Sequence, residues 1–250
     1  MLAIVASYIY AIKVIGPRVA PHGEVVTRKQ LQAFTAGALL MWIASDWPIH
    51  DIAEEYLYSV HMLQHMMLSY FVPPLMLLFD AVFGSGRGYR AIKFFSRAPV
   101  AGLLFNVVVM VTHIPDVVNR SVSNGPMHYS LHVLVVLAAL LMWMPVCGPE
   151  RSFRLQYGGM MIYLFLMSVI PTVPAAWLTF AEGSVYKHYD IPVRVWGLSV
   201  TTDQQLAGAV MKSAGGIFLW TIIIVIFFRR FIGRFFVEAS YSKEASQDID

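Results

Sequence analysis

Seven apolar stretches divide the 250-residue chain, and each is long enough, or nearly so, to form a helix across a lipid bilayer. They cover residues 2–15, 31–47, 57–79, 99–113, 129–146, 158–180 and 204–228. Hydrophobic residues make up 58% of the chain and charged residues only 13%, which is not typical of a water-soluble domain. The sequence therefore predicts an all-α fold, a polytopic membrane helical bundle of about seven transmembrane helices.

These stretches predict a single transmembrane domain over residues 1–237 and a polar cytoplasmic tail over 238–250, which we expect to be disordered because it has little to bury. The first stretch has no basic region ahead of it and no small-residue cleavage site, so we expect a membrane span and not a removable signal peptide. A basic segment, 84–97, fits either a short helix at the membrane surface or a plain loop.

Prolines interrupt the third and sixth stretches, at Pro73, Pro74, Pro171 and Pro174. A proline inside a helix removes a backbone donor and bends the helix, and lipid cannot satisfy the carbonyl that is released. The sequence therefore predicts kinks that are stabilised by neighbouring helices.

Lysine and arginine follow alternate stretches, which indicates orientation because these residues are retained in the cytoplasm when they lie near helix ends. Those after the first, third, fifth and seventh stretches are Lys13, Arg18, Arg28, Lys29, Arg87, Arg90, Lys93, Arg97, Arg151, Arg154, Arg229, Arg230 and Arg234. The other connections carry only Arg120, Lys187 and Arg194. We therefore expect an outer N-terminus, a cytoplasmic C-terminus and no nucleic-acid partner, since the membrane explains the basic clusters.

Histidine is distributed in the opposite way, because seven of the eight histidines fall at the predicted outer side. His61 and His65 are four residues apart, as are His128 and His132, so each pair lies on one helix face and can chelate one ion. His113 ends the fourth stretch at a similar depth. Five imidazoles from three spans predict a shared metal or cofactor site near the outer surface.

Less specific interpretations compete with this one. A single membrane histidine is more often an interhelical hydrogen-bonding group, and a pair at this spacing is a weak motif by itself. We interpret His50 and His188 as ordinary loop residues. Paired histidines on different helices also ligate haem iron, so a haem-binding or quinone-linked redox protein is the alternative function. A transporter is disfavoured because the inner halves of the spans are almost wholly apolar.

Methionine points to copper as the metal. Met66 follows His65 directly, and thioether sulfur together with imidazole suits copper, especially Cu(I). Most of the 14 methionines are expected to be packing residues. The single cysteine, Cys147, excludes a Cys-pair metal motif and lies near the opposite end of its span.

Three ionisable residues near or within the spans complete the candidates. Asp46 lies at the outer end of the second stretch. Asp203 begins the seventh, where it either caps that helix or orients a ligand imidazole. Lys212 lies about 13 Å into the same helix, so its ammonium must extend outward, pair with a carboxylate or serve the site.

Six segments resemble the caa3-type cytochrome c oxidase assembly factor family, the multi-span CtaG type. They are HMLQHMMLSYFVPPLMLL, THIPDVV, HYSLHVLVVLAALLMWMPV, YGGMMIYLFLMSVIP, VYKHY and LSVTTDQQLAGAVMK. The similarity extends over about residues 31–220, with the segments in the expected order. Its recurring polar and small positions correspond to His61, His65, Pro73, Pro74, His113, Pro115, His132, Asp203, Gln204 and Gly208. Lys212 stands where the resemblance leads us to expect an aromatic residue.

The resemblance implies a multi-pass protein of the bacterial plasma membrane that handles copper during maturation of a haem-copper oxidase and contacts the subunits of that enzyme. We therefore expect a non-enzymatic assembly factor, or metallochaperone, with a copper site at the extracytoplasmic side. The expected ligands are His61, His65, His113 and His132, followed by His128 and Met66. Asp46, Asp203 and Gln204 are expected to lie behind the ligands and orient them.

Overall fold

The computed structural model describes residues 2–15, 26–77, 87–148 and 151–247, which form helices and their connections, without a strand. The α-helices are α1 Leu2–Tyr10, α2 Arg28–Ser45, α3 Ile49–Glu55, α4 Tyr58–Met66, α5 Val72–Leu77, α6 Arg87–Phe95, α7 Ala98–Thr112, α8 Pro115–Val122, α9 Gly125–Cys147, α10 Tyr157–Val169, α11 Thr172–Phe180 and α12 Val200–Gln247. Two π-helical segments, Ala11–Ile15 and Met67–Phe71, extend α1 and connect α4 to α5. The prediction of an all-α fold is confirmed for this part of the chain.

Three helical segments among the described residues are long and apolar enough to cross a membrane. They are Gly125–Cys147, Tyr157–Phe180 and Val200–Ile232. A fourth is obtained if α6 and α7, which meet at an angle of 74°, are counted as one bent span. The chain thus has the helices of a membrane protein, as its composition predicts.

The basic segment before α7 forms the helix α6, so the helical interpretation of that segment is confirmed over Arg87–Phe95. Residues 84–86 lie outside the described ranges. At the other end of the chain, α12 continues through to Gln247 and so enters the segment whose composition predicted disorder.

A neighbouring helix binds the carbonyl that Pro73 leaves without a backbone donor. Proline has no N–H to donate to the carbonyl four residues earlier, which here belongs to Ser69. The indole Nε1 of Trp143, on α9, donates a hydrogen bond of 2.9 Å to that carbonyl oxygen. Trp143 is buried, so the bond is shielded from solvent and ties α9 to the segment that connects α4 and α5.

Helix α12 packs closely on α11 at Gly208. A Cβ atom there would lie 2.6 Å from the carbonyl oxygen of Ala175 and 2.8 Å from the backbone nitrogen of Thr179. Both are main-chain atoms of α11 that cannot rotate away. Glycine at this position therefore sets the distance between the two helices.

The core draws on α4, α7, α9, α10, α11 and α12, and it contains polar side chains as well as large apolar ones. Its buried apolar members include Tyr58, Met62, Phe105, Met142, Trp143 and Leu164. The buried polar group includes His61, Gln64, His65, His113, His128, Asp203 and Gln204. Burying so many polar groups is costly unless each has a partner or a function, so their contacts indicate where the chemistry lies.

Candidate metal site

Four imidazoles from α4 and α9 form one contiguous group, called here the histidine cluster: His61, His65, His128 and His132. Within each helix the paired rings lie 4.5 Å and 4.4 Å apart, centroid to centroid. Between the helices, the His65 and His132 centroids are 4.8 Å apart, and His61 lies 5.6 Å from both rings of α9. The spacing in the sequence predicted each pair, and the packing of the two helices brings the pairs together.

Three members of the histidine cluster have the geometry of a metal site. The donor atoms of His61, His128 and His132 all lie within 4.8 Å of one another. Two nitrogens that bind one ion at about 2.1 Å are at most about 4.2 Å apart, so small side-chain movements are enough for these rings to share an ion.

Two nitrogens of the histidine cluster have unused hydrogen-bonding capacity. Nδ1 of His61 and Nε2 of His132 are buried, and neither has a hydrogen-bond partner among the described residues. Leaving a buried polar atom unpaired costs about 1–3 kcal/mol, which a bound ligand recovers. The donor set of the cluster therefore fits a transition metal.

Glu54 and His50, on α3, extend the histidine cluster toward the surface. Oε1 of Glu54 lies 2.8 Å from Nε2 of His128 and 3.1 Å from Nδ1 of His50. The side chains of His50 and Glu54 are 37% and 27% exposed, whereas that of His128 is only 8% exposed. The chain of contacts therefore leads from solvent to the buried rings.

Electrostatics keep Glu54 ionised. Burial raises the pKa of its carboxyl, but the hydrogen bond to His128 and the neighbouring imidazoles of His128, His50 and His132 outweigh burial and hold the pKa below its usual value. The sequence interpretation assigned no role to Glu54 and treated His50 as an ordinary loop residue. The signal that could have found them is their i, i+4 spacing in an acidic outer connection.

His113 lies beside the histidine cluster and not within its ring contacts. Its Nδ1 is 2.6 Å from the carbonyl oxygen of Val109, which can only accept, so Nδ1 carries the proton. Its Nε2 then presents a lone pair, 3.4 Å from the sulfur of Met62. His113 also lines a small cavity with His65 and Met66. Two methionines thus accompany the imidazoles, of which the sequence analysis had selected only Met66.

Asp203 lies in the first turn of α12, but its carboxylate accepts hydrogen bonds from the start of α4. Its Oδ2 accepts a hydrogen bond of 2.7 Å from the backbone N–H of Tyr58. Its Oδ1 accepts from the backbone N–H of Ser59 at 3.0 Å and from the hydroxyl of Ser59 at 2.5 Å. The sequence analysis expected Asp203 to cap its own helix, α12, or to orient a ligand imidazole. In the structure its carboxylate caps α4, the helix that carries His61 and His65. Asp203 therefore positions those imidazoles by fixing the start of their helix.

Gln204 holds the connection between α11 and α12 over the same region. Its amide oxygen accepts from the backbone N–H groups of Val185 and Tyr186, and its amide nitrogen donates to the Tyr186 carbonyl at 3.1 Å. The hydroxyl of Tyr186 in turn donates to the backbone carbonyl of His113, and that of Tyr189 to the carbonyl of Ala53, both at 2.9 Å. Both tyrosines are buried, so this connection closes over the end of the core at which the histidine cluster lies.

Two other candidates lie elsewhere. The carboxylate of Asp46 accepts hydrogen bonds from the indole of Trp42 and the backbone N–H of Trp47, at the exposed end of α2, and is not brought to the histidine cluster. Lys212 donates to the Thr172 hydroxyl at 2.5 Å and to the Ser168 carbonyl at 3.4 Å. Its ammonium thus lies at the break between α10 and α11, where Pro171 interrupts the helix.

A protein-family model described as cytochrome c oxidase caa3 assembly factor (Caa3_CtaG) matches residues 6–231 of the chain. The matched region includes the histidine cluster, Glu54, Asp203 and Gln204. Neither the curated proteins nor the solved structures gave a significant match to the chain.

Proposed function

The chain belongs to the cytochrome c oxidase caa3 assembly factor family, and from this premise we propose that it binds copper at the extracytoplasmic face and assists metallation of a haem-copper oxidase. The observation that carries the proposal is the histidine cluster, with two buried, unpartnered nitrogens among its four rings. Copper is the cargo of the protein, and the oxidase subunits are its partners.

The proposed topology has seven spans, with the N-terminus outside and the C-terminus in the cytoplasm of a bacterium. Helix α4, the segment Met67–Phe71 and α5 follow one another without a break and together contain 20 residues. At 1.5 Å per residue they extend about 30 Å, the thickness of the hydrocarbon core. Helices α1, α2, α7, α9, α10 with α11, and α12 supply the other six spans. The alternation of basic connections supports this orientation.

The chemistry of the surrounding side chains favours copper as the metal. Imidazole nitrogen and thioether sulfur are ligands for Cu(I), and both are present where Met62 and Met66 accompany the histidines. Cys147 lies 15 residues beyond His132 on α9, about 22 Å away, so a thiolate of this chain does not take part. Glu54 and His50, which are partly exposed, provide a route by which the ion enters and leaves.

Haem is a poorer fit to this arrangement. Axial ligation of haem requires two imidazoles that face each other across a porphyrin, whereas these rings touch one another, with centroids 4.4 to 5.6 Å apart. A flat macrocycle has no space between such rings, while a single ion needs only a point at which nitrogens converge.

Metal analysis tests the proposal. The wild type and the double variant His61→Ala/His65→Ala are purified in detergent, loaded with Cu(I) under reducing conditions and washed with a weak chelator. We expect the copper content of the double variant to fall about tenfold or more, since disturbing a ligand's support alone costs that much. His188→Ala, which changes another outer histidine, is the matched control and retains its copper.

Three outcomes contradict the proposal. Equal copper in the wild type and the double variant would remove the pair from the site. A Soret band in the visible spectrum of the purified protein would favour the haem alternative. In cells, the double variant is expected to lower the copper content of the haem-copper oxidase, and normal oxidase copper would contradict a role in metallation.

A further inference from the structure

A second site lies at the opposite end of α9 from the histidine cluster. A cavity of about 840 Å³ opens where the end of α9, the start of α10 and the middle of α12 meet. It is lined at one side by Arg151, Arg154 and Arg230. Val146, another lining residue, is 14 residues beyond His132 on α9, so the two sites are about 21 Å apart along this helix.

The described lining of the cavity is rich in arginine. Its described lining contains three arginines and no carboxylate. The guanidinium of Arg230 lies over the ring of Tyr157, 5.6 Å from its centroid, and Nε of Arg154 donates a hydrogen bond of 2.5 Å to the carbonyl oxygen of Gly148. These contacts hold two cations in place beside the cavity, which favours a ligand with negative charge.

The start of α10 adds backbone donors. The first N–H groups of a helix have no partner within the helix, and in this part of the structure no side chain caps α10. Tyr157 and Gly158, its first two residues, line the cavity. A Cβ on Gly158 would meet nothing within 4 Å, so a ligand can approach the backbone there. Uncapped N–H groups beside arginines form a suitable environment for a phosphate.

Most of the rest of the lining is apolar, and Gln156 is a polar member of it. Leu155, Met160, Met161 and Ile226 contribute an apolar wall to the cavity. A soluble anion would leave this wall in contact with water, whereas an amphiphile would cover it. The cavity therefore combines a site for a charged headgroup with a surface for a hydrocarbon chain, at the side where basic residues gather.

We propose that this cavity binds an anionic phospholipid, with its phosphodiester at Arg151, Arg154, Arg230 and the start of α10 and an acyl chain along Met160, Met161 and Ile226. The site is separate from the histidine cluster and does not depend on copper. A lipid bound here ties α12 to the connection between α9 and α10.

The test measures binding of fluorescent phosphatidylglycerol and, separately, phosphatidylcholine to the full chain in detergent micelles. The variant Arg151→Gln/Arg230→Gln spares Arg154, whose bond to Gly148 supports the fold. We expect it to bind phosphatidylglycerol about 30-fold more weakly, since two arginines beside an anionic headgroup are removed. Arg229→Gln removes a charge from the same turn of α12 but not from the cavity lining, and we expect its affinity to equal that of the wild type.

Several results would overturn the proposal. One is an equal loss of phosphatidylglycerol affinity in Arg229→Gln and in the single variant Arg230→Gln, which would indicate a general effect of basic charge. Another is equal binding of the two lipids by the wild type. A third is displacement of the lipid by inorganic phosphate at millimolar concentration, which would indicate a site for a soluble anion. Normal copper content in the Arg151→Gln/Arg230→Gln variant shows that this variant has folded. Failure of the lipid proposal therefore leaves the copper proposal intact.

Discussion

Replacing Asp203 with asparagine removes the charge that caps α4 while keeping the size of the side chain. The carboxylate accepts three hydrogen bonds, two from backbone N–H groups and one from the Ser59 hydroxyl. Asparagine has one acceptor oxygen, so its NH₂ group must face at least one of these donors. Asp203 is only 2% exposed, and water cannot replace the lost partner.

The expected magnitude follows from those contacts. A hydrogen bond to a charged group contributes about 1.5–3 kcal/mol to stability. In the asparagine variant one of these hydrogen bonds is lost and two donors face each other, so we expect the unfolding free energy to fall by about 3 kcal/mol. The start of α4 should also become less fixed, and His61 lies within its first turn. We therefore expect Asp203→Asn to weaken copper binding about tenfold, as the loss of an orienting partner does at metal sites.

The assay combines denaturant unfolding in detergent with copper affinity measured against a competing chelator. Asp190→Asn is the matched control, because Asp190 lies in the connection that precedes α12 but is 53% exposed and pairs only with Arg194 among the described residues. An exposed ion pair contributes little, so this variant should match the wild type. If Asp203→Asn were as stable as Asp190→Asn and bound copper equally well, the argument that α4 is positioned by this cap would be wrong.

Two further predictions concern single residues described above. Gly208→Ala should lower the unfolding free energy by about 3 kcal/mol, because its Cβ would overlap main-chain atoms of α11. Gly216→Ala on the same helix is the control: its Cβ would meet nothing within 4 Å, so this variant should be neutral or stabilising. Equal melting temperatures of the two variants would contradict the close packing at Gly208. Glu54→Gln should reduce copper affinity about tenfold, because it removes the negative charge beside His128. Glu55→Gln, which changes an exposed residue, should leave the affinity unchanged. Competition with a chelator measures both affinities, and equal values would remove Glu54 from the site.

The sequence predicted those features of the site that depend on local spacing. The i, i+4 pairs at His61 and His128 follow from helix geometry, and their common depth follows from the order of the spans. The contact between another helix and the carbonyl released at Pro73 could also be predicted, because proline always releases a carbonyl and lipid cannot bind it. Trp143 as the donor could not be, since 74 residues separate it from Ser69.

Other features depend on which helices touch, and the sequence does not contain that information in a local pattern. An acidic residue in the first turn of a helix predicts a cap for that helix, yet Asp203 caps one that begins 145 residues earlier. Glu54 was missed for a related reason, since α3 is a short helix whose acidic residues resemble an ordinary polar connection. His113 was placed at the right depth, but its contact with Met62 depends on the direction of the ring.

The bond between Asp203 and Tyr58 also sets an order of events during synthesis. Asp203 is the 145th residue added after Tyr58, and its synthesis follows roughly 7 to 29 s later at about 5–20 residues per second. All four histidines of the cluster are made within that interval, while α4 still lacks its cap. The position of α4, which carries His61 and His65, is therefore fixed only when α12 is added, so an unfinished chain lacks the finished geometry of the histidine cluster.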